Sequence, residues 1–312
     1  MHIVTAFFKL IRSLNLLFIV LTQCMFLFFI AQPILGETPL TDILPLPAII
    51  SLIVAGVLIA AGGNVINDYF DINIDIINKP ERRIIDKYIR RRWAIVWHLM
   101  FSFAGILLTG YAAWKTGAWW MLLGNIGTVL VLWMYSASFK KKLLSGNIII
   151  SLLTAWVILI VGGWIHFVII TRFPELEVNT GKLLRLTFLY AGFAFIISIV
   201  REVIKDIEDR KGDQKYGCKT MPIVWGIQVC KIFIITWLII LIAAIAGLIV
   251  YVLPYQWWYA IVYCIIFILA PLMKIVKGVY HAQTVAEFTK LSSQVKIVML
   301  FGILSMVFFK IY

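Results

Sequence analysis

The stretch 64–80 reads NVINDYFDINIDIINKP, and among its residues are the amides Asn64 and Asn67 and the carboxylates Asp68, Asp71 and Asp75. Wound as an α-helix, it places Asp71 about 40°, Asn64 about 60°, Asp75 about 80° and Asp68 about 100° from Asn67, so all five share one face. Tyr69, Phe70, Ile72 and Ile74 cover much of the remainder. Carboxylates massed on one face repel one another, and burying them bare is costly. A divalent cation relieves both problems. An oxygen-only ligand set of Asp carboxylates and Asn amides suits Mg²⁺, which keeps several waters and usually shares a substrate phosphate.

A second acidic stretch, REVIKDIEDRKGDQKYGCKT, begins at Arg201. Glu202, Asp206, Asp209 and Asp213 fall within an arc of about 60° if the helix persists. Gly212 is a candidate end for that helix, which would leave Asp213 on a loop. Glu208 points elsewhere and reads as a solvated surface charge. Cations stand beside both stretches, and Lys79, Arg82, Lys140 and Lys205 are the candidate phosphate contacts. Carboxylates next to Lys and Arg match what a Mg²⁺-diphosphate requires: metal bridging Asp to phosphate oxygens, and cations neutralising the remaining charge. The plainer alternative is a pair of polar helix ends in the headgroup region, with the cations serving only as topology signals.

The elements that position these residues follow from composition. The chain has 312 residues, of which 62% are hydrophobic and 14% charged, and its mean hydropathy is +0.99. A soluble domain is nearer half apolar and a quarter charged. The expected fold is therefore all-α, a polytopic membrane protein whose helices cross a hydrocarbon core about 30 Å thick. Apolar runs predict nine spans, near 14–35, 46–66, 93–114, 119–137, 147–170, 183–204, 229–253, 257–277 and 293–312. The first run is too long for a signal peptide and lacks a small-residue cleavage site, so it is expected to span.

Basic residues concentrate in alternate loops: Lys79 to Arg92, Lys140 to Lys142, Lys205 to Lys219, and Lys274 to Lys290. The positive-inside rule then puts the N-terminus and both acidic stretches on the cytoplasmic side of the plasma membrane. Membrane topology thus accounts for most of the +13 net charge, and no nucleic-acid partner is expected; nor is a protein partner. The whole chain 1–312 is expected to form a single membrane-embedded domain. The repetition of an acidic stretch about four helices apart suggests four-helix halves, 14–137 and 147–277, plus a ninth helix at 293–312, with the acidic stretches facing each other. Cys24, Cys218, Cys230 and Cys264 form no C-x-x-C pair and read as small membrane hydrophobes. His2, His98, His166 and His281 show no metal-ligand spacing and read as solvated or interfacial. Trp119, Trp120, Trp257 and Trp258 fit an interfacial belt.

The motifs resemble those of the UbiA superfamily of intramembrane prenyltransferases. NDYFDINID followed by NKPERR resembles the first aspartate motif of that family, and KDIEDRKGD the second. LIRSLNLL, YSASFKKKLLSGNIIISLLTA and SSQVKIVMLFGIL agree, so the likeness covers essentially the whole chain. REVIKDIEDRKGD and SGNIIISLLT are most similar to the digeranylgeranylglyceryl phosphate synthase branch. The resemblance implies nine helices around a central lipid-accessible cavity and Mg²⁺ held by Asn67, Asp71, Asp75, Asp209 and Asp213. It also implies a polyprenyl diphosphate donor and a lipophilic acceptor, best matched by the hydroxyl of a prenylated glycerol phosphate. Tyr135 matches a family tyrosine, and Arg12 and Asn15 match a polar spot before the first span. Tyr135, Asp68 and Asp206 are assigned catalytic roles; Asn64, Lys79, Arg82, Lys140, Lys205 and Arg12 are assigned to substrate. The chain departs from relatives at Arg83, where they often carry Pro, which bears on the acceptor more than on the metal.

Such a site would loosen the allylic C1–O bond toward a carbocation, which an acceptor captures while water is excluded. An aromatic face such as Tyr135 would stabilise the cation. The competing expectations are an aromatic acceptor of hydroxybenzoate or naphthoate type, a cation transporter using the acids for transit, and a passive membrane scaffold. Transport sits poorly with acids confined to helix ends, since the first, third, seventh and ninth spans carry none.

Overall fold

The computed structural model describes residues 3–78 and 84–312. Among the described residues a short helix α1 (Ile3–Leu10) is followed by nine helices long and apolar enough to span a membrane. These are α2 (Ser13–Leu35), α3 (Leu46–Asn78), α4 (Arg91–Thr116), α5 (Trp119–Ala137), α6 (Ser145–Arg172), α7 (Thr180–Lys215), α8 (Gly226–Tyr255), α9 (Trp258–His281) and α10 (Val285–Ile311). No strand beyond an isolated bridge between Ile85 and Ile89 occurs among the described residues. This is the all-α polytopic membrane architecture expected from composition.

Helix lengths carry the functional information. α5, with 19 residues, is about 28 Å long and just crosses the hydrocarbon core. α3 has 33 residues and α7 has 36, about 50 and 54 Å, so each overshoots by roughly 20 Å. The apolar runs predicted spans ending near 66 and 204, but the helices continue unbroken to Asn78 and Lys215. Both acidic stretches therefore stand on the overhanging turns. Gly212 does not end α7, and Asp213 is helical rather than on a loop.

Two helices widen just before a proline. α2 takes a π-helical turn at Leu27–Ala31 ahead of Pro33, and α9 one at Cys264–Leu269 ahead of Pro271. Proline has no N–H to donate and its ring crowds the carbonyl four residues earlier. The wider turn absorbs both effects without breaking the span.

The chain divides into two compact units, Met1–Lys140 with Val157–Thr187, and Lys141–Trp156 with Phe188–Tyr312. In the first unit, small residues let helices approach closely, as membrane packing requires. A Cβ at Gly105 of α4 would stand 2.7 Å from the Ile59 side chain and 3.1 Å from the Ala55 carbonyl of α3. Gly62 of α3 faces the backbone of His98, and Gly63 faces Leu132 of α5. Buried polar groups pair across helices: Asn125 donates to Thr109 at 2.9 Å and the Trp164 indole to Thr116 at 2.9 Å. His98, expected to be solvated or interfacial, is instead 2% exposed; Nδ1 meets the Gly62 carbonyl at 3.0 Å and the ring packs on Trp133. Ile84, Ile85 and Ile89, from the loop after the first acidic stretch, join Ala6, Leu10 and Val65 in one apolar cluster.

The second unit is built around Val200, Val203 and Ile207 of α7, Ile234 and Leu238 of α8, Leu272 and Ile275 of α9, and Phe288 and Val295 of α10. A Thr284–Glu287 capping box starts α10. All four cysteines are free thiols, and Cys218 and Cys230 are buried.

Candidate functional site

The first acidic stretch sits in the first unit, on the overhang of α3, with Arg12 and Lys140 brought to it. Arg12 lies in the tight turn between α1 and α2 and adopts a left-handed backbone, φ 55° and ψ 54°. A non-glycine residue in that region stores strain and persists only when its surroundings hold it there. Two contacts do so. The Asn64 side-chain amide donates to the Ile11 carbonyl at 2.9 Å, and Arg12 Nη2 donates to Asp68 Oδ1 at 2.6 Å. Asn64 thus acts on the turn that presents Arg12. The charge of Asp68 raises the Arg12 pKa above its ordinary value, outweighing the opposing effect of burial. The same guanidinium feels Asp71 and Tyr135 electrostatically, which puts the half-buried Tyr135 in the same neighbourhood.

One turn further along α3, Asp71 is 7% exposed. Its Oδ2 accepts from Asn67 Nδ2 at 3.1 Å and forms an ion pair with Lys140 Nζ. Lys140 also reaches Asn67 Oδ1 at 3.4 Å. Arg12, Tyr135 and Lys140 are thereby gathered around the face of α3 on which the helical wheel set Asn67, Asp68 and Asp71. Asp75, one turn beyond, is half-buried. Lys79, Arg82 and Arg83 lie outside the described residues.

The second acidic stretch sits in the second unit, on the overhang of α7. Asn147, near the start of α6, donates to Asp206 Oδ2 at 2.8 Å. Glu202 Oε1 accepts from Lys205 Nζ at 2.7 Å and from Arg201 Nη1 at 3.1 Å. Asp209 is half-buried and Asp213 is 8% exposed. Glu208, expected to be a solvated charge, is half-buried and accepts from Thr289 Oγ1 of α10 at 3.3 Å. Sequence reasoning missed Asn147 and Arg201. The available signal was an amide and a guanidinium inside apolar runs, where each needs a partner to be tolerated.

Asp71 Oδ1 is buried and has no hydrogen-bond partner among the described residues, a costly state for a carboxylate oxygen and one that a cation would relieve. Asn67 Oδ1 adds a second hard oxygen next to it. No three His, Cys, Asp or Glu side chains cluster as a self-sufficient metal site among the described residues. Mg²⁺ does not need such a cage, because it is commonly held by one or two carboxylates together with waters and substrate phosphates. The residues present fit the ion.

Residues 25–300 match the UbiA prenyltransferase family. A digeranylgeranylglyceryl phosphate synthase from Methanosphaera stadtmanae is 31% identical over 256 residues, covering 80% of this chain and 83% of that protein. Two solved structures share the fold. One is described as giving structural and mechanistic insights into digeranylgeranylglyceryl phosphate synthase in membranes; it is 23% identical, with TM-score 0.61 over 98% of this chain and 99% of the other. The second is a UbiA homolog from Archaeoglobus fulgidus bound to DMAPP and Mg²⁺; it is 15% identical, with TM-score 0.57 over 96% and 98% of the two chains. The chain belongs to the UbiA prenyltransferase family and is a multi-pass membrane transferase of prenyl groups.

Proposed function

We propose that the chain transfers a geranylgeranyl-like group from an allylic diphosphate to the hydroxyl of a prenylated glycerol phosphate at the cytoplasmic face of the membrane. The observation that carries the diphosphate is the array on α3: Arg12 on Asp68, Lys140 on Asp71, and the unpartnered Oδ1 of Asp71. The glycerol phosphate acceptor is supported by the activity named for the Methanosphaera relative. The alternation of basic loops supports the cytoplasmic orientation. Mg²⁺ is supported by the donor chemistry and by the ion in the Archaeoglobus homolog.

In this reaction the bond between C1 of the donor and the diphosphate oxygen breaks, and the acceptor oxygen forms a new bond to C1. The acceptor proton leaves to a carboxylate such as Asp68 or Asp206, or to the departing diphosphate. Asn67, Asp71 and Asp75 would hold one Mg²⁺, and Asp209 and Asp213 would hold another. When bound, the ions supply Lewis-acid neutralisation of the leaving group. Arg12, Lys140 and Lys205 take up further negative charge as the diphosphate departs, and Lys79 and Arg82, next in sequence after α3, are proposed for the same role. The Tyr135 ring faces the developing carbocation. Apolar helices keep out water, which would otherwise capture the cation.

Purified protein incubated with Mg²⁺, geranylgeranyl diphosphate and a choice of acceptors tests this. The expected product is the doubly prenylated glycerol phosphate. Transfer only to a hydroxybenzoate or naphthoate would reassign the acceptor, and cation flux in liposomes without any transfer would refute the enzyme.

A further inference from the structure

A cavity of about 580 Å³ opens in the second unit where the start of α8 meets the end of α9. Gln228, Lys231, Tyr280, His281 and Gln283 line it together with two isoleucines of α8, and none of these seven residues is acidic. Lys231 sets its character. It is only 8% exposed, and its one hydrogen bond among the described residues runs from Nζ to the Tyr280 carbonyl at 3.2 Å. An ammonium has three donors, so capping that carbonyl leaves two N–H groups. Lys231 takes part in no ion pair among the described residues. Glu287, in the first turn of α10, acts on it from farther off, but Glu287 Oε2 is occupied by the Gln283 and Thr284 amides and the Thr284 hydroxyl.

The level of the cavity follows from helix length. α8 has 30 residues, about 45 Å, whereas the hydrocarbon core takes about 30 Å, so its first turns stand in the headgroup layer. Exposed Trp225 and Tyr280 flank the cavity at belt positions. Lysines that serve only as topology signals snorkel into water at this level, but Lys231 is buried instead. The two helix ends that meet here, the N-terminus of α8 and the C-terminus of α9, carry opposite partial charges and largely cancel. The ammonium therefore decides the sign of the site, and the two glutamine amides and the imidazole add further donors. Lys274, Lys277 and His281 are all exposed and fall within about 60° on α9, a basic stripe that leads to the cavity. On α8, exposed Ile232 and Ile239 lie about 20° apart and run from the cavity toward the bilayer.

We infer that this cavity seats the phosphodiester headgroup of an anionic membrane phospholipid, with Lys231 on the phosphate and the acyl chains along the isoleucine stripe of α8. A phosphate oxygen accepts charge-assisted hydrogen bonds from the two remaining N–H groups of Lys231, and Gln228, His281 and Gln283 donate from around it. The apolar stripe argues for a lipid rather than a free anion, which would gain nothing from it. By bridging α8 and α9 the lipid would stabilise the second unit. The inference does not depend on which acceptor the enzyme prenylates.

The test titrates purified protein in detergent with dioleoylphosphatidylglycerol, dioleoylphosphatidylcholine or inorganic phosphate, reading bound lipid by native mass spectrometry and stability by thermal unfolding. The wild type should hold phosphatidylglycerol about tenfold more tightly than phosphatidylcholine, as expected for a charge-assisted hydrogen bond. Only phosphatidylglycerol should raise its unfolding temperature. Lys231→Gln keeps a donor for the Tyr280 carbonyl without the charge, and should abolish the preference; Lys231→Arg should retain it. Gln228→Glu leaves the contact between Lys231 and Tyr280 in place and sets a carboxylate in the cavity, so it should lose the preference without removing any helix contact. Wild-type binding of the two lipids within twofold of each other would overturn the site, as would an undiminished preference in both Lys231→Gln and Gln228→Glu. Inorganic phosphate that stabilises as well as the lipid at equal concentration would identify a free anion and overturn the phospholipid as occupant.

Discussion

Asp71→Asn separates what the carboxylate does for folding from what it does for chemistry. Asparagine keeps the shape and an oxygen for the Asn67 amide but removes the charge. In the wild type Asp71 pairs with Lys140, and the two side chains are only 10% and 17% exposed. Removing one member of a buried pair leaves the other uncompensated and typically costs about 3–5 kcal/mol. Lys140 retains the Asn67 oxygen and can extend its stem toward water, so we expect roughly 2–3 kcal/mol, at or just below the lower edge of that range. Adding Lys140→Met to Asp71→Asn should then recover at least about 1 kcal/mol, because it removes the stranded ammonium. Activity should behave differently. Asp71→Asn removes a hard anionic ligand and should lower kcat/KM by roughly 10²–10⁴-fold, the equivalent of several kcal/mol of charge stabilisation. It should also raise the Mg²⁺ concentration needed for half-maximal rate by about 10- to 100-fold. Lys140→Met should not rescue either kinetic quantity. The assay is thermal unfolding in detergent, run alongside Mg²⁺ titrations of prenyl transfer. A double variant less stable than Asp71→Asn alone would refute the pairing energetics, and an unchanged Mg²⁺ requirement would refute Asp71 as a ligand.

Other expectations concern single contacts. Arg12→Gly relieves the left-handed backbone at that position, worth about 1 kcal/mol, yet removes the guanidinium; protein at least as stable as the wild type with donor KM raised about tenfold is expected, and unchanged donor KM would remove Arg12 from the diphosphate. Tyr135→Phe keeps the ring and should retain kcat within about threefold, while Tyr135→Leu should lose about tenfold, in line with a cation–π contribution near 1 kcal/mol; equal losses would point to the hydroxyl instead. Asn147→Ala strips Asp206 of its amide donor and should lower kcat/KM about tenfold, with Asn147→Asp worse because it sets two carboxylates together. Single cysteines at Lys141 and Lys215 should react with an impermeant thiol reagent only from the cytoplasmic side, and labelling from outside would invert the topology.

Much of the molecule was legible because its determinants are local. Nine apolar runs fix nine helices, and the charge alternation checks their number. The wheel at Asn67 anticipated that Asn67, Asp68 and Asp71 share a face, since 100° per residue is a property of the backbone. The misread features depend on distant partners. Gly212 looked like a stop, yet one glycine costs a helix only about 1 kcal/mol, too little by itself to end α7. His98 looked interfacial because nothing near it in sequence announces the Gly62 carbonyl. Glu208 looked solvated until Thr289, far along the chain, appeared opposite it.

Helix length itself is a functional signal in this protein. A span is obliged to be about 20 residues long, so an overshoot of a dozen residues that stays helical needs a cause. On α3 that extension buries Ile72 and Ile74 on its apolar side, and its acidic face is held by cations: Arg12 from a strained turn and Lys140 from just past the end of α5. These partners compensate Asp71 incompletely, since its Oδ1 remains buried with no hydrogen-bond partner among the described residues. A purely structural helix end would sooner replace such a carboxylate with an amide or an alcohol. Keeping the charge makes physical sense when a ligand that carries its own cations comes to collect it, and a magnesium diphosphate is such a ligand.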